Sequence, residues 1–503
     1  MTAPRNVLFV MTDQQRTDTL GCYGNPHVRT PVIDGLAAEA TVFDACFTPT
    51  AICTPARASL LTGVAPYRHR LLANYERNVG YIEELSDEWP SFSERLRDAG
   101  YNVGLSGKWH VGRRREPAEF GFDGTHFPGW HNPIHHPRYV SWLAERGLQV
   151  PGVADPVRGT FPNGEDGNLL AGRLDLPADA TFEAFLADDT IARLQAYAED
   201  LRRDGAPFFM ATHFFGPHLP YLLPREYLEM YSPEVVTLPA SSVETFAHKP
   251  PVQRRYSEHW GYDSLDPDTW RWLIAAYWGY ATLIDEQLGR ILKALRELGL
   301  WEDTCIAFTA DHGEFTGAHR LHDKGPAMYD DIYRIPSVLR VPSGRGRREP
   351  RPTSLLDYTA TFLDLAGLPP DPEAHGESLL ALAAGGDPPG WRDVTLAEFH
   401  GHHFPYPQRM IRTETTKLIV NPESVNELYD LERDPDELVN RYNDPAYVEV
   451  RDALMQRLYA ELRTRGDNFH HWMAMMFAVG TKDYDTSLSD FEGAENQALD
   501  RQQ

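Results

Sequence analysis

Short apolar runs of strand length alternate with amphipathic helical stretches from the N-terminus to about residue 370, and this alternation constrains the fold more than any other feature. The first run, Val7-Leu8-Phe9-Val10-Met11, has no polar face and reads as a buried strand. Thr30-Pro31 reads as an N-cap with proline at the first helical position. Ile33, Leu36, Ala37 and Ala40 then share one face of a helix over roughly 30–40. The same reasoning predicts a helix over 91–99 ending at Gly100, and strands over 101–105 and 208–212. The longest stripe runs Leu273, Ala276, Tyr277, Tyr280, Ile284, Leu288, Ile291, Leu295 and leads through Gly299 into a strand over 304–309. Together these elements predict an α/β fold, a mostly parallel sheet covered by helices on both faces.

Composition limits the partners. With 42% hydrophobic and 11% aromatic residues, the 503-residue chain has ample material for a large core, which excludes disorder as its main state. A net charge of −25 argues against nucleic acid, because binding a polyanion requires Lys and Arg in excess; small anionic ligands stay open. The four cysteines, Cys22, Cys46, Cys53 and Cys305, form neither a disulfide framework nor a Cys-x-x-Cys pair. The N-terminal apolar run is too short for a signal-peptide core, and no stretch of eighteen apolar residues occurs. The expectation is a soluble, cytoplasmic protein with no membrane partner.

Residues 111–180 are rich in Pro, Gly and His with weak periodicity, so they are expected to be long loops that shape the substrate site. Residues 341–352 and 383–390 also read as loops. Strand-like runs at 394–397 and 417–420 and a helix over 448–462 predict a smaller C-terminal subdomain. The expected division is 1–385, 386–465 and a tail, 466–503. The aromatic and Met-rich part of that tail, 469–477, suits packing against a neighbour or a second subunit of a homo-oligomer.

Asp13 and Asp311-His312 each lie just past the end of a predicted buried strand, where open α/β sheets place ligands. One such Asp alone is best explained by helix capping or loop hydrogen bonds. Two acidic sites and a His after distant strands favour a shared divalent metal. In Ala51-Ile52-Cys53-Thr54-Pro55-Ala56-Arg57-Ala58-Ser59-Leu60-Leu61-Thr62-Gly63, a Cys stands on a Pro-containing turn that opens an apolar helix, with Arg57 one turn on. That setting suits a thiol nucleophile or an anion site, whereas a lone Cys is more often structural, the reading that fits Cys22, Cys46 and Cys305.

The Cys-x-Pro-x-Arg and Leu-Leu-Thr-Gly elements of this segment resemble the signature of the type I sulfatases, whose Cys is oxidised to formylglycine by a dedicated maturation enzyme. A second signature resembles Gly100-Tyr101 through Gly107-Lys108-Trp109-His110, departing at Val103, where the family usually has Ser or Thr. Asp13 and Asp311-His312-Gly313 resemble the metal-binding groups, Pro217-His218 the catalytic His, and Lys324 the Lys downstream. Leu428-Tyr429-Asp430-Leu431 resembles the C-terminal subdomain. The resemblance implies the alkaline phosphatase-like fold: a three-layer α/β/α sandwich with a large mixed sheet, plus a small C-terminal α+β subdomain. It implies hydrolysis of a small anionic sulfate ester, aryl or carbohydrate. Cys53, as a hydrated aldehyde, would offer one hydroxyl to attack and a second to expel the sulfate. A divalent ion at Asp13, Cys53, Asp311 and His312 would activate that hydroxyl, with Ca2+ favoured by the carboxylates and Mn2+ or Zn2+ admitted by His312. Arg57, Lys108 and Lys324 would neutralise the transferring group. His218 would protonate the leaving oxygen, and His110 would deprotonate the second hydroxyl.

Two departures from the family pattern stand out. Asp13 is followed by Gln14 rather than a second Asp, and the second metal pair is Asp-His rather than Asp-Asn. Both features also occur in the related phosphonate monoester hydrolases and in choline sulfatases, and Asn74 falls about where the former place a substrate-binding Asn. Those hydrolases replace the Lys-x-His that this chain keeps as Lys108 and His110, so a sulfatase is the first expectation. A phosphonate monoester or phosphodiester hydrolase is the second. A non-catalytic anion-binding relative is the least expected, since Cys53, Lys108, His110, His218 and Lys324 are all present. His131, His135 and His136, and likewise His400, His402 and His403, are candidates for a second metal but read first as solvated loop residues, some lining the substrate entrance with Trp130. Arg68, His69 and Arg70 read as a helix end or surface.

Overall fold

A computed structural model describes residues 5–469 apart from 130–132, 343 and 423. The strands run in chain order β1 Asn6–Thr12, β2 Thr41–Phe47, β3 Asn102–Lys108, β4 Asp123–Phe127, β5 Val153–Thr160, β6 Asp166–Leu174 and β7 Phe208–His213. They continue as β8 Tyr221–Leu223, β9 Thr304–Ala310, β10 Ser337–Arg340, β11 Arg347–Ser354, β12 Thr395–His402, β13 Phe404–Arg412, β14 Thr416–Val420 and β15 Glu427–Asp430.

Eight of them form the main sheet in the order β11-β2-β10-β9-β1-β7-β3-β4. Only β10 runs antiparallel to its neighbours, so the sheet is mixed and mostly parallel. Every residue of β1 is buried, as its unbroken apolar run requires. The strand alternation divides the core. Leu8 and Val10 pack with the long helix Pro267–Glu297 and the helix Phe182–Asp204 on one face. Val7, Phe9 and Met11 pack on the other face with the helices Cys53–Thr62, Phe92–Asp98 and Asp357–Leu365. These are the three layers of the α/β/α sandwich. No helix among the described residues is long and apolar enough to cross a membrane.

Strands β12 to β15 form a small antiparallel sheet. One face, through Ile411, Leu418 and Leu428, meets Leu454, Leu458 and Leu462 of the helix Val448–Arg465. The other, through Phe399, Met410, Ile419 and Tyr429, packs on Phe47, Tyr329 and Tyr333 of the main body.

Three sequence expectations need correction. Residues 111–180 are not simply loops: they carry β4 at the edge of the main sheet and the helix Pro137–Glu145. The hairpin β5-β6 joins β8 in a three-stranded sheet. The hairpin pairs with several register shifts and exposes much of β5, so it lacks the clean period-2 alternation that reveals a strand. The stretch 341–352 contains most of β11, an edge strand whose register shifts between Glu349 and Pro352. Two prolines are tolerated there because an edge position with an irregularity does not need every N–H. Third, His402 is buried, His400 half-buried in β12, and His69 buried at the end of the helix Pro66–His69, so these are not solvated side chains. His135 is exposed and His136 half-exposed. Trp130, His131 and the tail beyond 469 lie outside the described residues.

Candidate active site

The sheet topology brings the candidate residues together. β9, β1, β7 and β3 are consecutive neighbours and all parallel, so their C-terminal ends lie side by side, where such sheets place ligands. Thr12 pairs with Ala310, which sets Asp13 beside Asp311. β3 ends at Lys108, with His110 two residues on, and the loop after β7 carries His218. Gly107 is obligatory in this arrangement: its φ is +119°, and a Cβ there would lie 1.9 Å from the carbonyl oxygen of His213 on β7.

Cys53 opens the helix Cys53–Thr62 and is buried. Its Sγ lies 3.1 Å from His312 Nε2 and 3.9 Å from Asp13 Oδ1. Burial alone would raise this thiol, but Lys108, Lys324 and His312, with a hydrogen bond from His110, outweigh it and hold the thiol well below its ordinary range. Burial and Lys108 push the His110 imidazole down to about 4, so it is neutral near pH 7. Burial opposes protonation of His312 as well, yet Asp311 and Cys53 prevail and raise it to about 9.

The carboxylates are divided between two kinds of partner. Arg57 donates from Nε to Asp311 Oδ2 at 2.9 Å, from Nη2 to Asp13 Oδ2 at 3.1 Å and from Nη1 to the Lys108 carbonyl at 3.1 Å. Lys108 Nζ also pairs with Asp13 Oδ2. Asp13 Oδ1 and Asp311 Oδ1 remain on the side of Cys53 and His312. His312 Nδ1 engages the Gly313 carbonyl at 2.8 Å, which aims Nε2 at the same point. Donor atoms from Asp13, Cys53, Asp311 and His312 all lie within 4.8 Å of one another, a buried set of oxygen and imidazole donors suited to one divalent ion. Burial and Cys53 would raise the Asp13 carboxyl, but Lys108, His218 and Arg57 keep it below the usual carboxylate range.

Around this core, the structure shows what two of the candidate residues hold. Arg57 is expected from the sequence to face the transferring group; its Nε, Nη1 and Nη2 are engaged by Asp311, the Lys108 carbonyl and Asp13, so it holds the two carboxylates in place. Asn74 is expected to bind substrate, and its Oδ1 accepts the backbone N–H of Thr54 at 2.9 Å, capping the first turn of the Cys53 helix. Lys324 donates to Asp323 Oδ1 at 2.8 Å and to Gln14 Oε1 at 3.0 Å, and its Nζ lies 3.4 Å from His218 Nε2. Burial opposes its charge, but Asp323 and Cys53 raise its pKa. His218 is half-buried, and its Nδ1 is held by the Leu219 carbonyl. Sequence reasoning missed Asp323, which holds both Lys324 and Gln14; its one signal was adjacency to Lys324. A cavity of about 210 Å³ opens beside Lys108 and His218, walled by Ile134, Phe182, Phe215, Leu222 and Tyr280.

The sulfatase family profile matches residues 5–368. The chain belongs to the sulfatase family. A profile for the C-terminal region of N-sulphoglucosamine sulphohydrolase also matches residues 317–464. The uncharacterized sulfatase YidJ of Escherichia coli (strain K12) is 31% identical, across 96% of each chain. The multifunctional alkaline phosphatase superfamily protein PehA of Trinickia caryophylli is 28% identical over 95% of this chain and 99% of its own. The crystal structure of the phosphonate monoester hydrolase of Agrobacterium radiobacter superposes with a TM-score of 0.78 at 28% identity, covering 92% of this chain and 96% of that one. This sulfatase-family enzyme thus has the fold of the alkaline phosphatase superfamily, with close structural similarity to phosphonate monoester hydrolases.

Proposed function

We propose that the enzyme hydrolyses sulfate esters of an aryl or sugar alcohol through a formylglycine made from Cys53 by a maturation enzyme. It would use one divalent ion at Asp13, residue 53, Asp311 and His312, with Ca2+ first and Mn2+ or Zn2+ as alternatives. The observation that carries this reading is the surroundings of Cys53: three residues able to hold a metal, Asp13, Asp311 and His312, together with Lys108, Lys324 and His110.

As formylglycine, residue 53 supplies two hydroxyls on one carbon, one to attack and one to expel sulfate. The ion, when bound, supplies Lewis acidity toward the attacking hydroxyl and the ester oxygens. The other residues handle charge and protons. Lys108 and Lys324 are buried ammonium groups placed to offset the negative charge of the transferring group in a water-poor site. His218, at the half-open mouth, is placed to protonate the leaving oxygen, with Lys324 beside its Nε2. His110, neutral and in contact with residue 53, is placed to take the proton of the second hydroxyl. The apolar cavity beside Lys108 and His218 suits the alcohol portion.

Gln14 and His312 support a second reading, hydrolysis of phosphonate monoesters or phosphodiesters, in line with the superposition on the Agrobacterium radiobacter enzyme. Rates on p-nitrophenyl sulfate and p-nitrophenyl phenylphosphonate, with metal-loaded protein coexpressed with the maturation enzyme, separate the two. The sulfatase reading requires sulfate to dominate, Cys53→Ala to be inactive, and mass spectrometry to find an aldehyde at residue 53. Dominant phosphonate turnover overturns it in favour of the second reading.

A further inference from the structure

Among the described residues, a second group of metal-competent side chains lies apart from the Cys53 site: Glu76, His402 and His403. We propose that these three residues bind a second divalent cation of the zinc class where the β12-β13 turn meets the Glu76 segment.

Their geometry is that of a preformed site. His402 Nε2 and His403 Nδ1 lie 3.7 and 3.6 Å from the same oxygen, Glu76 Oε1, and all three ligand atoms fall within 4.8 Å of one another. Tetrahedral zinc with bonds of about 2.1 Å sets its ligands roughly 3.4 Å apart, close to both His–Glu separations. The two imidazoles are borderline donors that favour zinc-class ions over calcium or magnesium, two His and one Glu is a zinc donor set, and three protein ligands leave a position open. His403 is exposed, so the site is reached from solvent.

The ligands are also oriented from behind. His402 is buried, and its Nδ1 meets the Tyr256 hydroxyl at 3.1 Å, which fixes the ring with Nε2 on the side of Glu76. The second oxygen of Glu76 accepts the Tyr75 backbone N–H at 3.1 Å. The hairpin turn of His403 is tied to the Glu76 segment, since Asn78 donates to the His403 carbonyl at 3.1 Å. The group stands two residues from Asn74, which caps the Cys53 helix, and His402 is within electrostatic reach of Asp323 and Lys324.

This inference is independent of the sulfatase chemistry, and so is its test. Full-length protein is stripped with a chelator, saturated with Ca2+ and titrated with Zn2+ by calorimetry and with Co2+ by visible absorption. The expected result is one tight Zn2+ equivalent and intense cobalt bands of a four-coordinate imidazole site. Both should be lost in Glu76→Gln and in His403→Asn, which keeps a residue tolerant of the left-handed turn at φ +67°. Both should survive in Asp311→Asn, and Tyr256→Phe should weaken binding by about 10-fold or more. Circular dichroism and unfolding midpoints identify any variant that fails to fold, and the remaining variants then decide. No extra equivalent in the wild type, survival of binding in a folded Glu76→Gln or His403→Asn, or loss of it in Asp311→Asn would each overturn the proposal.

Discussion

Gln14 accepts a hydrogen bond from the Lys324 ammonium at 3.0 Å while its own amide donates to Glu314 and to Asp323. The residue that departs from the adjacent pair of Asp in most sulfatases therefore has its side chain fully engaged by Lys324, Glu314 and Asp323. It joins Lys324 to two acidic side chains. A neutral amide suits this place, because it donates on one side and accepts on the other.

Gln14→Glu should expose that requirement. The new carboxylate would face Glu314 and Asp323 in a buried setting, with Lys324 already shared with Asp323. The expected cost is about 1–3 kcal/mol at pH 8. Burial and like charge would raise the new group's pKa, so the cost should shrink toward pH 5, where it takes up a proton. Urea midpoints of the variant and wild type at the two pH values check this, and an equal difference at both would count against it.

The main sheet and most of the site were legible because buried parallel strands leave continuous apolar runs and their ends carry the functional side chains. Val7 to Met11 and Asp13 are the plainest case. Strands β5 and β11 were not legible, since half-exposed or edge strands with irregular register need no alternation. The motif located Arg57, and the likeness to phosphonate monoester hydrolases located Asn74, but their partners depend on which segments become neighbours. Only the folded chain shows that Arg57 holds two carboxylates and that Asn74 holds Thr54. His402 looked like a loop residue because nothing local announces that the β12-β13 hairpin packs against Tyr256.

Asn74 lends itself to a two-variant comparison. Asn74→Ala removes the acceptor of the Thr54 N–H, and the expected loss of stability is about 0.5–2 kcal/mol. Asn74→Asp keeps an acceptor oxygen and should leave stability near wild type, while its added charge opposes an anionic substrate and raises KM. Thermal unfolding together with steady-state kinetics separates the two effects. A stable Asn74→Ala variant would show that the cap contributes little.

His218 is assigned to the leaving oxygen, so the cost of losing it should depend on the alcohol. With His218→Ala, esters of poor leaving groups such as alkyl alcohols should lose about 10²–10⁴ in kcat. p-Nitrophenyl sulfate, whose phenolate leaves readily, should lose far less. Rates over a series of substituted phenyl sulfates test this: the variant should depend more steeply on leaving-group basicity than the wild type. Parallel lines would remove His218 from the general-acid role.

His69 predicts acid sensitivity. It is buried beneath the Cys53 helix, where its Nδ1 accepts the Leu71 N–H at 3.1 Å, so the proton belongs on Nε2, 3.0 Å from the Ser59 hydroxyl. A second proton would point Nδ1–H at another N–H in a dry site, and burial accordingly pushes the imidazole down to about 3. An unfolded chain protonates the same side chain near 6.5. Between these values the unfolded state binds more protons, so stability falls as pH drops through that window. This residue alone should remove about 2 kcal/mol between pH 7.5 and pH 5. His213, pushed to about 3 by burial and by Arg57, acts in the same direction. His69→Gln should therefore be less stable than wild type at pH 7.5 but lose less on acidification. Urea titrations at several pH values would find the two curves converging toward pH 5, and parallel curves would mean that His69 is not held neutral by the fold.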